Sequence, residues 1–204
     1  MNSVEFFIYK HAFSQGENID LSSIPMMTRR KLSPAGKIAM STMLEVYDGD
    51  KNTDLVYASR YGELERVVKL IKQQIEENEI SPTGFSFSVH NSTIGLFSLL
   101  ENIHNKYNSV AAGENSFSSG LLDAALNKTK TLFCYAESVD RYESISLLIG
   151  PERVEGSTKV KIIPNYKKLP ANSFSDFLKG ADYICPLYII CLLYTSPSPR
   201  DRQK

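Results

Sequence analysis

The chain has 204 residues, 42% of them hydrophobic and 23% charged, the make-up of a globular protein large enough for one real core. Its 23 basic and 23 acidic side chains cancel, and no run of five like charges breaks the balance, which argues against a nucleic-acid or anionic-membrane surface. The N-terminus lacks the basic and long apolar regions of a secretory signal, and Cys134, Cys185 and Cys191 follow neither metal-ligand nor disulfide-scaffold spacing, so a cytoplasmic protein with reduced thiols is expected.

Val4 to His11 is aromatic and β-branched, a strand ending near the turn residues Ser14 to Asn18. Ser33-Pro34 supplies an N-cap with proline in the first turn, and Ile38, Met40, Met43, Leu44 and Tyr47 give the following helix, to about Val46, a buried face. Asp54 to Ser59 is an apolar run sized for an inner strand. From Gly62 to Glu77 the spacing of Leu64, Val67, Val68, Ile71 and Ile75 predicts an amphipathic helix with that face packed and the other solvated. Ser81-Pro82-Thr83-Gly84 reads as a turn, the alternation Phe85 to Asn91 as extended backbone, and Ser92 or Thr93 as the cap of a helix to about Asn105. Ser109 to Ala112 is a short strand, Gly113 to Gly120 an elbow, and Leu121 to Leu126 the start of a helix. Thr131 to Tyr135, Ser144 to Ile149 and Thr158 to Ile163 complete the strands. This βαβα order predicts a layered α/β fold with a largely parallel sheet.

Few residue patterns carry chemistry. There is no glycine-rich phosphate loop, and His11, His90 and His104 lie on separate predicted elements with no metal-binding motif; neither a cofactor nor a metal is expected. His90, beside Asn91, reads as a structural hydrogen-bonding imidazole. Ser116 sits on a strand-to-helix elbow, where a helix N-terminus can stabilise an anionic nucleophile. The same spacing suits Ser116, Ser118 and Ser119 as caps of a helix starting near Gly120, and no general base lies nearby in sequence. Arg29-Arg30-Lys31 is either a receptor for an acidic or phosphorylated partner or a solvated triplet. Cys134, inside an apolar strand, reads as an inert thiol.

Several segments in series resemble the ketosynthase-like N-terminal family found in aryl polyene and flexirubin-type pigment clusters, whose members are called chain length factors. They are Arg30-Lys31-Leu32-Ser33-Pro34, Tyr57 to Leu64, Ser81-Pro82-Thr83, Phe85 to Asn91, Gly95-Leu96, Ala112 to Phe117, Gly120 to Ala125 and Cys134-Tyr135. The resemblance implies a thiolase-like fold, the N-terminal half of a β-ketoacyl synthase, with a mostly parallel mixed sheet. Active ketosynthases carry a cysteine three residues before the elbow glycine; counting back from Gly120 gives Phe117, and a one-residue slip gives Ser116. The histidines that complete ketosynthase catalysis belong to the C-terminal half of that fold, which the chain is too short to contain. The resemblance therefore implies a partner of an active ketosynthase that meets acyl carrier protein, inactive alone. An acyltransferase using Ser116 and a non-catalytic acyl-binding module are the alternatives.

The last segment, Cys191 to Asp201, resembles a translated sequencing adapter. On that reading residues 1–190 are a C-terminally truncated domain and residues 191–204 an artefact. Without Arg200, Asp201, Arg202 and Lys204 the balance becomes 20 basic against 22 acidic residues. The apolar run Tyr183 to Tyr194 is too short for a membrane span and contains Pro186.

Overall fold

Residues 3–16, 19–165, 168, 181–185 and 187–193 are described by the structure, a computed structural model. The chain opens with strand β1 (Val4–Gln15), a short helix α1 (Met26–Arg29) and helix α2 (Pro34–Val46). Strand β2 (Asp54–Ala58) is followed by three helices, α3 (Leu64–Glu77), α4 (Pro82–Ser86) and α5 (Ser92–Glu101). Strand β3 (Tyr107–Val110) leads through a 3₁₀ turn (Gly113–Asn115) into helix α6 (Ser116–Leu126). Strands β4 (Thr131–Glu137), β5 (Glu143–Gly150), β6 (Thr158–Pro164), β7 (Tyr183–Ile184) and β8 (Tyr188–Leu193) finish it.

The strands form one mixed sheet in the order β3-β2-β4-β5-β1-β6-β8-β7. The expectation that parallel pairing prevails is corrected: among the described residues only β2–β3 and β2–β4 are parallel, and the other five pairings are antiparallel. The reason is covalent. Five residues separate β4 from β5, enough for a reversal but not for the crossover a parallel neighbour requires, and no helix interrupts β4, β5 and β6.

Two cores flank this sheet. On one side Ile38, Ala39, Met40 and Met43 of α2 and Ile94 and Phe97 of α5 pack on Leu55, Tyr57 and Leu132. On the other, Phe117, Leu121 and Ala124 of α6 pack on Val56, Ala58 and Phe133, on Ile145, Leu147 and Ile149 of β5, and on Phe6 and Ile8 of β1.

A bulge at Tyr9 lets β1 serve both cores: its register with β5 shifts between Ile8 and Lys10. Phe6 and Ile8 therefore face the α6 side while Ala12 faces the α2 side, although all three have even numbers and an unbroken strand would put them on one face.

Local sequence explains two of the helix starts. Ser33 Oγ accepts from Gly36 N at 3.1 Å with Pro34 in the first turn, as expected. Ser81 repeats the device, accepting from Gly84 N at 3.1 Å with Pro82 next. The expected turn at 81–84 is thus the start of α4, and the expected extended run Phe85 to Asn91 is corrected to the end of α4 and the turns before α5. Helix α6 begins at Ser116, four residues before the expected start near Gly120. Gly120 lets it sit close to the sheet, because a Cβ there would lie 2.6 Å from Ala58 Cβ and 2.9 Å from Phe133 Cε2.

Helix α3 departs most from expectation. Leu70 is its one buried residue, and Leu64, Val68, Ile71 and Ile75, expected to pack, are exposed, Ile75 at 78%. Amphipathic periodicity records that a face seeks a partner, not that this chain supplies one.

No helix among the described residues is long and apolar enough to cross a membrane. Cys191 to Leu193 continue β8 against β6. Glu17, Asn18, Pro186 and the tail from 194 onward, including most of the adapter-like segment, lie outside the described residues.

Candidate functional site

The elbow is built by backbone geometry and by its serines. Gly113 has φ +57°, a left-handed conformation that glycine adopts without a Cβ penalty. Ser116 Oγ donates to Gly113 O at 2.7 Å and accepts from Ala112 N at 3.0 Å. Its hydroxyl thus fastens the turn, and both described partners are backbone groups. Ser118 Oγ donates to Asn115 O at 3.1 Å, Cys185 Sγ lies 3.1 Å from Ser118 Oγ, and Tyr188 N donates to Cys185 Sγ at 3.2 Å. This chain of contacts ties α6 to the β7–β8 turn.

Phe117 points into the core, 3% exposed. Its ring centroid lies 5.8 Å from Phe133, 5.7 Å from Tyr135 and 5.2 Å from Tyr183, in the tilted and edge-to-face arrangements that aromatic quadrupoles favour. Burial pushes the Tyr183 phenol up to about 12 and raises that of Tyr135.

Beside this cluster is a cavity of about 300 Å³ lined by Arg60, Tyr61, Tyr135, Glu137, Glu143 and Tyr183, among others. The loop after β2 forms one wall. Glu137, at the end of β4, accepts from Ser59 Oγ at 3.1 Å and from Arg60 N, while Gly62 N donates to Ser59 Oγ at 2.8 Å. Arg60 pairs with Glu114 at 2.6 Å and Asp140 at 3.7 Å and lies over the Tyr61 ring. Desolvation raises the carboxyl pKa of both Glu137 and Glu143, opposed at Glu137 chiefly by the Arg60 backbone hydrogen bond.

The other sequence candidates lie apart from the elbow. His90 Nε2 is 3.2 Å from Ser59 O and its ring is 5.7 Å from that of Tyr57, a structural position. Cys134 is fully buried, and desolvation pushes its thiol up to about 11, which suits the inert reading. Arg29 and Arg30 line a surface groove with Lys37 and Asp20, whereas Lys31 lies over the Phe87 ring. No three His, Cys, Asp or Glu side chains among the described residues could hold a metal ion. Sequence reasoning does not single out Tyr135, Tyr183, Glu137 or Glu143 as site residues, because strand pairing and the packing of α6 bring them together.

The family model described as beta-ketoacyl synthase, N-terminal domain, matches residues 9–132. No curated protein matches the chain. Among solved structures, a chain of "Ketosynthase (ApeO) in Complex with its Chain Length Factor (ApeC) from Xenorhabdus doucetiae" superposes with TM-score 0.72 and 22% identity, over 92% of this chain and 98% of that one. "The ishigamide ketosynthase/chain length factor" superposes with TM-score 0.56 and 13% identity, over 74% of this chain and 54% of that one. These likenesses give the thiolase-like fold.

Proposed function

Since the chain belongs to the β-ketoacyl synthase N-terminal domain family, we propose that it is a chain length factor: a non-catalytic subunit that pairs with an active ketosynthase in aryl polyene-type chain assembly. The observation that carries this reading is Phe117, a buried phenyl ring at the place counted for the family nucleophile, on an elbow that keeps its strand-turn-helix form. Phenylalanine cannot attack a thioester. Ser116, the fallback, has its hydroxyl engaged by Gly113 O and Ala112 N, which supports a structural role.

Two incomplete surfaces support pairing. Strand β3 is an edge of the sheet, a template for another strand, and the apolar stripe of α3 has no cover among the described residues. In this reading the partner ketosynthase performs the condensation, acyl carrier protein delivers the growing chain, and the complex works in the cytoplasm. Co-expression with a ketosynthase from the same gene neighbourhood tests it. The expected result is a stable complex whose product chain length shifts with Phe117→Ala; a chain that never co-purifies with a ketosynthase would sink the reading. Intact-mass measurement after incubation with an acyl-thioester donor is expected to show no adduct on Ser116.

A further inference from the structure

Glu143 stands opposite Glu137 in the β4–β5 ladder, a like-charge pair that cross-strand energetics disfavour. Glu137 is satisfied by Ser59 and the Arg60 backbone. Arg60 is held by Glu114 and Asp140, and Tyr61 donates its hydroxyl to Asp140 at 2.9 Å. Glu143 differs from all of these. The residue is only 9% exposed and lines the cavity; its carboxylate oxygens open onto that cavity, and desolvation and the Arg141 charge are the influences on it. Arg141, also on the rim, is exposed and acts on Glu143 through its field, without an ion-pair contact among the described residues.

A partly desolvated carboxylate facing a cavity gains from a cation placed there, and two features of the cavity say which kind. Its walls include Tyr135 and Tyr183, and aromatic rings attract cations, as the Tyr61 ring on the same wall already does with Arg60. Its carboxylates do not converge as metal ligands, so an organic cation fits better than a metal ion. The volume, about 300 Å³, is at the lower end of small-ligand pockets. We infer that this cavity binds a guanidinium or ammonium group on an apolar stem, with Glu143 as its counter-ion and the tyrosines as its walls. This inference does not depend on the chain-length-factor reading.

NMR titration of the whole chain with n-butylguanidinium, with n-butylurea as the uncharged analogue, tests it. Saturable binding of the cation is expected, at least tenfold tighter than the urea and at least tenfold weakened by Glu143→Gln. Equal binding of the two compounds, or unchanged affinity in Glu143→Gln, would overturn it. Tyr183→Leu, which leaves the charge in place, is a second variant expected to weaken binding; full affinity there would remove the aromatic wall from the proposal. Repeating the titration on a ketosynthase complex distinguishes the sources of the cation: a blocked cavity points to a basic side chain of the partner, an open one to a free amine.

Discussion

Phe117 packs on Tyr135 and Tyr183, which also line the cavity of Glu143, and the two residues illustrate two uses of burial. At Phe117 burial favours the apolar ring; at Glu143 it disfavours the charge and raises the carboxyl pKa. The sign of the consequence follows from proton linkage. Between the unfolded carboxyl value, about 4.3, and the higher folded value, the native state holds more protons, so stability falls as pH rises through that interval. Glu143→Gln is therefore expected to raise Tm at pH 7 and to flatten its decline as pH rises from the unfolded carboxyl value, as thermal melts from about pH 4 upward would measure. A wild-type Tm at pH 7 equal to or above that of the variant would contradict it. Phe117 is legible from sequence because the distance to Gly120 is a property of the chain. Glu143 is not, because its place depends on pairing with Glu137 across the sheet.

At the scale of elements, caps and periodicity are legible, but what an amphipathic face packs against is not. The Ser33-Pro34 start of α2 can be read from its motif, while the same pattern at Ser81-Pro82 reads as a turn and starts a helix. The stripe of α3 has the spacing of a packed face, yet no core among the described residues covers it. Its exposure makes a prediction that separates folding from association. Ile71→Gln with Ile75→Gln is expected to change the stability of the isolated chain by less than about 1 kcal/mol, since surface substitutions away from special features are usually small. The same pair is expected to reduce ketosynthase retention at least tenfold in a pull-down. A large loss of stability in urea denaturation would show that the stripe is packed after all.

For the molecule as a whole, the layered α/β class is legible and the sheet's directionality is not, since the antiparallel β4–β5 and β1–β5 pairings follow from connection length and long-range register. Among the described residues only the β2, β3 and β4 portion is parallel, and it ends at the edge strand β3. Along that edge the Lys106 and Val110 carbonyls accept from Leu55 and Ser59 of the β2 segment, so by alternation Ser109 turns its backbone N–H away from β2, where it meets the Asn108 side chain at 2.9 Å. Ser109→Pro is expected to keep the fold, because proline is tolerated on edge strands, and to abolish co-purification with a ketosynthase. Retention of the complex would place the interface elsewhere.

The bulge at Tyr9 has a consequence for how the two cores communicate. Because one inserted residue switches the parity of β1, the same strand anchors Phe6 and Ile8 beneath α6 and Ala12 beneath α2. A sliding of β1 by one position would exchange buried and exposed side chains in both layers at once. The two cores therefore share a single register, and neither can be repacked along β1 without the other.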